Sequence, residues 1–148
     1  MAASGQGSVL ALFRAVKGEE GRLPADSIDV EKAGIVGDKY FGKNPNRSIL
    51  LTSRSSYEMA RDAGIDIPFG SLGENIVVDI DLYHLGAGDR VRLGDAVLEI
   101  TQNCTLCGSL GKVHDTLPEL LRNDRGIFAK TLEAGRIEIE SRVSIVKS

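Results

Sequence analysis

The chain is expected to fold as a mainly β protein, a β-barrel carrying one or two short helices. Three observations predict this. Its apolar runs are short, they are separated by glycine-rich turns that include Gly-Asp pairs, and only two stretches carry helix signals. Glycine is frequent, at 17 of 148 residues, and aromatic residues make up only 5%.

Taken in order, residues 8–16 form a first apolar run. Ile28, Asp29, Val30 and Glu31 alternate with period two, as a half-buried strand does. Ser48-Ile49-Leu50-Leu51-Thr52 has the apolar density of a short buried strand. A helix should follow: Ser55-x-x-Glu58 is a capping box, Tyr57, Ala60 and Arg61 recur at helical spacing, and Gly64 is a natural stop. Strands are expected at 76–78, 90–93 and 96–101, with Gly94-Asp95 as a tight hairpin turn between the last two. Thr116-x-x-Glu119 should cap a second short helix running to Arg122. Residues 127–132 and 137–146 alternate again and are expected to close the chain as strands.

Length and charge bound the organisation. At 148 residues the simplest expectation is one domain over 1–148, with 1–7 as a flexible N-terminus, large enough to bury a core without disulfide staples. The net charge of −3 is spread along the chain, so neither nucleic acid nor an anionic membrane is an expected partner. No run has the length of a transmembrane helix, and the small, polar start does not follow the pattern of a signal peptide. A cytoplasmic protein with reduced thiols is the expectation.

The two cysteines of the chain, Cys104 and Cys107, stand three apart just beyond a strand end. A strand fixes position while a loop gives access, which suits a reactive thiol. Such a pair can activate one thiol, close a disulfide or supply half of a zinc site. It can also be two small buried hydrophobes. His84 and His114 add no metal spacing, because the gap between them fits no finger pattern.

Three further clusters carry possible chemistry. In Gly34-Ile35-Val36-Gly37-Asp38-Lys39-Tyr40-Phe41-Gly42, the glycines allow a ligand to approach the backbone, and Lys39, Lys43 and Arg47 could meet a phosphate. In Gly73-Glu74-Asn75, a carboxylate for acid/base work stands beside a carboxamide suited to a heterocycle edge. Glu74 could equally satisfy N–H groups of its own loop. Arg125 has a planar fork able to clamp an anion, or it is a solvated arginine at a helix end.

The order of these pieces resembles the MOSC domain, the module also found at the C-terminus of molybdenum cofactor sulfurases. The matching stretches are 34–42, 69–76 (Phe-Gly-x-x-Gly-Glu-Asn-Ile), the 88–94 hairpin, 99–107 and 125–135, so the likeness covers residues 9–146. It implies a MOSC-type β-barrel and binding of the molybdenum cofactor, molybdopterin. Cys107 best matches the family cysteine, which is proposed to carry sulfur and which coordinates molybdenum in amidoxime-reducing relatives. The resemblance sets Glu74, as a catalytic group, and Asn75 near the pocket. Asp38 goes to the cofactor side, with Lys39, Arg47 and Arg125 available for the cofactor's phosphate. Cys104 stands where many relatives have arginine, Tyr40 replaces a histidine-like position, and Glu140-Ser141 replaces a common Gly-Asp turn. Cys104 is then either a resolving thiol or a packed neighbour.

Three functions remain open on the sequence. One is a cofactor-binding carrier whose Cys107 hands over sulfur, as a sulfur transferase would. Another is a molybdenum-dependent reductase of N-hydroxylated compounds. The last is a metal-free Cys-x-x-Cys thiol redox or interaction module. The implied partners are the pterin cofactor and a sulfur-donating or electron-donating protein.

Overall fold

The computed structural model describes residues 6–18, 22–104, 113–122 and 124–146. Seven strands close into a barrel: β1 (Gln6–Ala15), β5 (Ile49–Ser53), β6 (Ile76–Val78), β7 (Arg90–Leu93), β8 (Ala96–Asn103), β9 (Ile127–Glu133) and β11 (Arg142–Val146). Around the ring the order is β1, β11, β7, β8, β9, β5, β6 and back to β1. β2 (Arg22–Ala25) hangs from β1 as an extra antiparallel strand. A separate three-stranded sheet orders β10 (Gly135–Glu138), β3 (Ser27–Glu31) and β4 (Gly34–Ile35).

Among these pairings only β5 and β6 run parallel. A parallel pair needs a crossover, and α1 (Arg54–Asp62) supplies it. The helix buries Ser56, Tyr57 and Ala60 on one face. It ends as the sequence predicts: Gly64 takes φ 85°, its N–H donates to the Arg61 carbonyl, and the Ile65 N–H donates to the Ala60 carbonyl. Its start differs from the expectation. Ser53 is the N-cap, not Ser55, and its hydroxyl accepts from the Leu82 N–H at 3.0 Å rather than from the first turn. The second helix is shorter than expected. It spans α2 (Leu117–Leu120), and the Thr116 side chain makes no capping bond.

Alternation along the strands sorts side chains to two faces. Ile49, Leu51, Ile127 and Ala129 point into the barrel core, where Ile28, Val30, Ile35 and Ile137 of the small sheet join them. On the outer wall, Tyr57 and Ala60 of α1 and Leu117 and Leu121 pack against Phe13 and Val77. The outward-facing Leu50, Phe128 and Cys104 form a third, smaller cluster. Register breaks in β8 between Ile100 and Gln102 disturb the simple in-out phase. Gln102 and Asn103 are exposed and Cys104 is buried.

The closing segment is two strands, not one. β10 and β11 are separated at Glu140, which carries φ 72°, and β10 leaves the barrel to pair with β3. β2 and β4 were not expected at all. The β7–β8 hairpin is as predicted: Leu93 pairs with Ala96 across Gly94-Asp95, and Gly94 has φ 58°.

β10 passes this hairpin very closely. A Cβ on Gly135 would stand 2.5 Å from the Asp95 carbonyl carbon and 2.6 Å from its oxygen. Neither atom belongs to a flexible side chain, so Gly135→Ala should cost about 2 kcal/mol, the usual scale of overpacking. A urea unfolding curve with an unchanged midpoint would show that the hairpin yields instead.

Candidate functional site

A cavity of about 430 Å³ opens on the outer wall of the barrel. Its apolar floor is the cluster of Leu50, Cys104 and Phe128, which face outward from β5, the end of β8 and β9. Around that floor stand Arg22 from β2, Lys43 and Arg47 from the 36–47 segment, and Arg125 just ahead of β9. Tyr40, Asn44, Ser48, Gly73 and Asn75 complete the lining. Among the described residues the lining therefore holds four cationic side chains and no carboxylate, in a chain whose net charge is −3.

The three arginines each have a defined setting. The Arg47 guanidinium lies 5.0 Å from the centroid of the Phe128 ring. Such stacking suits a planar guanidinium and holds it at the floor's edge. Arg22 reaches Asp38 Oδ1 at 3.7 Å and stands 5.7 Å from the Tyr40 ring centroid. Arg125 is buried and donates from Nη2 to the Leu72 carbonyl at 3.1 Å. Gly73 faces that same Nη2, 3.5 Å from where a Cβ would be, and its φ of 81° favours glycine.

Of the residues picked from sequence, Arg47, Asn75 and Arg125 meet at this cavity, with Lys43 of the first cluster. Asp38 and Lys39 do not line it. Asp38 is buried behind the rim, where Oδ1 accepts from the Ala15 N–H at 2.6 Å and Oδ2 from the Tyr40 N–H at 3.0 Å. It docks the loop on β1 and anchors Arg22. Lys39 lies over the Tyr40 ring, 5.2 Å from its centroid. Asn75 presents an edge to the cavity, but its amide serves the fold. Oδ1 accepts from the Leu50 N–H at 3.0 Å, and Nδ2 donates to the Phe13 carbonyl at 3.3 Å and to Asp38 Oδ1 at 3.4 Å.

Glu74 faces away from the cavity lining. It is fully buried, accepts from Tyr57 Oη on Oε2, and takes a longer bond from the Gly70 N–H at 3.3 Å. Its Oε1 has no hydrogen-bond partner among the described residues. Burial pushes the Glu74 carboxyl above the ordinary carboxylate range, and burial with the neighbouring Glu74 pushes the Tyr57 phenol up as well.

Cys104 packs in the wall as a buried free thiol beside Leu50 and Phe128. Cys107 lies outside the described residues. Among the described residues no three His, Cys, Asp or Glu side chains gather to hold a metal ion, and His84 and His114 are both exposed. No helix among them is long and apolar enough to cross a membrane. Arg22 is the cationic lining residue that sequence patterns missed. It sits in a four-residue strand with no clear alternation, and only the β1–β2 pairing brings it to the rim.

Together, the barrel and the cavity on its outer wall define a β-barrel domain with a cation-lined pocket. A family model for the MOSC domain matches residues 38–144, and the chain belongs to that family. Among solved structures, the YuaD protein from Bacillus subtilis is similar, with a TM-score of 0.84 at 20% identity over 95% of each chain. YiiM from Escherichia coli is similar with a TM-score of 0.70 at 20% identity, over 95% of this chain and 70% of its own. YiiM from Geobacillus stearothermophilus has a TM-score of 0.70 at 16% identity, over 95% of this chain and 73% of its own. At such identities these likenesses concern the fold. No curated protein matches the chain.

The buried Glu74 carboxyl has a pH consequence. A folded-state pKa raised above the unfolded value means that the folded protein binds the proton more tightly. Stability is then greatest below the ordinary glutamate value of about 4.3 and falls as pH rises above it. Glu74→Gln removes that loss. The stability difference between variant and wild type, from urea curves, should move in the variant's favour as pH rises from 4 toward 8. A constant difference across that range would show that Glu74 titrates normally.

Proposed function

We propose that the chain binds the molybdenum cofactor in the outer-wall cavity, with Cys107 as the thiol that ligates the metal or carries sulfur. The observation that carries the reading is the cationic lining formed among the described residues by Arg22, Lys43, Arg47 and Arg125 around an apolar floor. Membership of the MOSC family supports it.

The donor set fits such a group. A pterin cofactor ending in a phosphate presents an anionic end and a flat ring, and the cavity offers guanidiniums able to bind phosphate in a fork and the Leu50–Phe128 surface. Arg47 and Arg125, which are planar and held in place, would take the phosphate, and Lys43 and Arg22 would neutralise the rim. Cys104 follows β8 directly at the cavity floor, and chain length alone keeps Cys107 within about 11 Å of it, Cα to Cα. When bound, molybdenum would supply a thiophilic centre, for which a thiolate is a suitable soft ligand.

Sulfur-carrier and reductase chemistry share this site and differ in what meets it: a sulfur donor, or an electron donor and an N-hydroxylated substrate. The deciding measurement is the molybdenum and pterin content of protein purified anaerobically from a host that makes the cofactor. The expected result is near-stoichiometric loading in the wild type, lost in Cys107→Ser, with Arg47→Leu lowering pterin retention about tenfold. Wild-type protein without either component, whose two cysteines titrate as a reversible pair, would overturn the reading in favour of thiol chemistry.

A further inference from the structure

The 70–74 turn lies between two elements that never touch the cavity ligand space together. On one side is α1, with Tyr57; on the other is Arg125 in the cavity wall. Tyr57 Oη donates to Glu74 Oε2 and accepts from the Gly70 N–H at 3.1 Å and the Leu72 N–H at 3.4 Å. The carbonyl of that same Leu72 receives Arg125 Nη2. One phenol thus gathers both ends of the turn, and one peptide of the turn holds the guanidinium. The ring itself is seated edge-on against Phe69, with centroids 4.9 Å apart and planes at 78°.

From this relay we propose that Tyr57 and Glu74 are positioning residues for the cavity: the buried phenol–carboxyl pair fixes the 70–74 turn, and the turn fixes Arg125. Glu74 acts as a hydrogen-bond acceptor rather than as an acid or base on the ligand. A fully buried carboxyl with one oxygen partnered and the other without a partner among the described residues is best accommodated in its neutral form. A carboxamide at the same place keeps the acceptor toward Tyr57 Oη. A methyl group does not. A guanidinium held in one orientation also loses less freedom when it closes a forked contact with an anion, so the turn's order contributes to affinity from a distance.

The inference rests on the anion-binding reading only where it concerns affinity, and the test separates the two. Nitrogen-15 NMR of the arginine side chains follows the Arg125 Nε–H signal, assigned by its loss in Arg125→Lys, in ligand-free protein. Titration with inorganic phosphate then gives affinity. The wild type should show a narrow, slowly exchanging Arg125 signal. Tyr57→Phe and Glu74→Ala should shift or broaden it and weaken phosphate binding about tenfold, while Glu74→Gln keeps both within about twofold. An unchanged Arg125 signal in Tyr57→Phe and Glu74→Ala would overturn the proposal, and so would a Glu74→Gln protein as impaired as Glu74→Ala. If the wild type binds no phosphate, the anion reading fails, and the Arg125 signal alone still decides the positioning role. If the two damaging variants do not fold, hydrogen exchange in the wild type decides: protected Gly70 and Leu72 amides support the relay, and rapid exchange of both refutes it.

Discussion

The architecture turns on the Asn75 carboxamide. Where β6 begins between β1 and β5, the chain must satisfy strands on both sides while leaving the outer wall open. Asn75 does this with main chain and side chain together. Its backbone pairs with Leu50 and Phe13, and its amide repeats both contacts from the side. The carboxamide acts as an extra peptide unit, so buried N–H and C=O groups are met at a point where another strand residue would fill the cavity. Asp38 joins the same junction and ties in the loop that carries Tyr40, Lys43 and Arg47. Barrel closure and cavity shape therefore share one set of hydrogen bonds.

Much of the barrel was legible because its strands are apolar and its turns carry glycine. The 90–101 hairpin and the Gly64 helix stop follow directly from local chemistry. The errors have physical causes. The hydroxyl-bearing residues near the α1 start are engaged in tertiary bonds: Ser53 with Leu82, and Ser56 with Tyr83 and the Asp124 carbonyl. A capping pattern in sequence cannot reveal that competition. The 137–146 run hid its break because Glu140 takes a conformation usually given to glycine. β4, two residues long, exists only because β3 is beside it.

The site was legible in part, through the order of its motifs more than through any one of them. Arg47, Asn75 and Arg125 come from three distant segments, and the barrel brings them to one cavity. Lys39 shows the limit of this reading. It adjoins Asp38, yet it lies over the Tyr40 ring while Lys43 lines the wall. Loop geometry decides which lysine faces inward, and composition does not encode it. Glu74 and Asn75 are neighbours, yet Asn75 lines the cavity and Glu74 is buried against Tyr57, so a shared motif does not mean a shared site.

Placing the cavity on the wall rather than in the lumen divides labour between adjacent residues. Ile49 and Leu51 fill the interior, and Leu50 between them floors the cavity; Ile127 and Ala129 flank Phe128 in the same way. A lumen site would trade ligand space against core packing at every substitution. Here the two can vary separately, because a change at Leu50, Cys104 or Phe128 alters what the wall receives without opening a void in the barrel. Divergence in ligand preference is thus mechanically cheap on this scaffold, and a family could explore many ligands while keeping one frame.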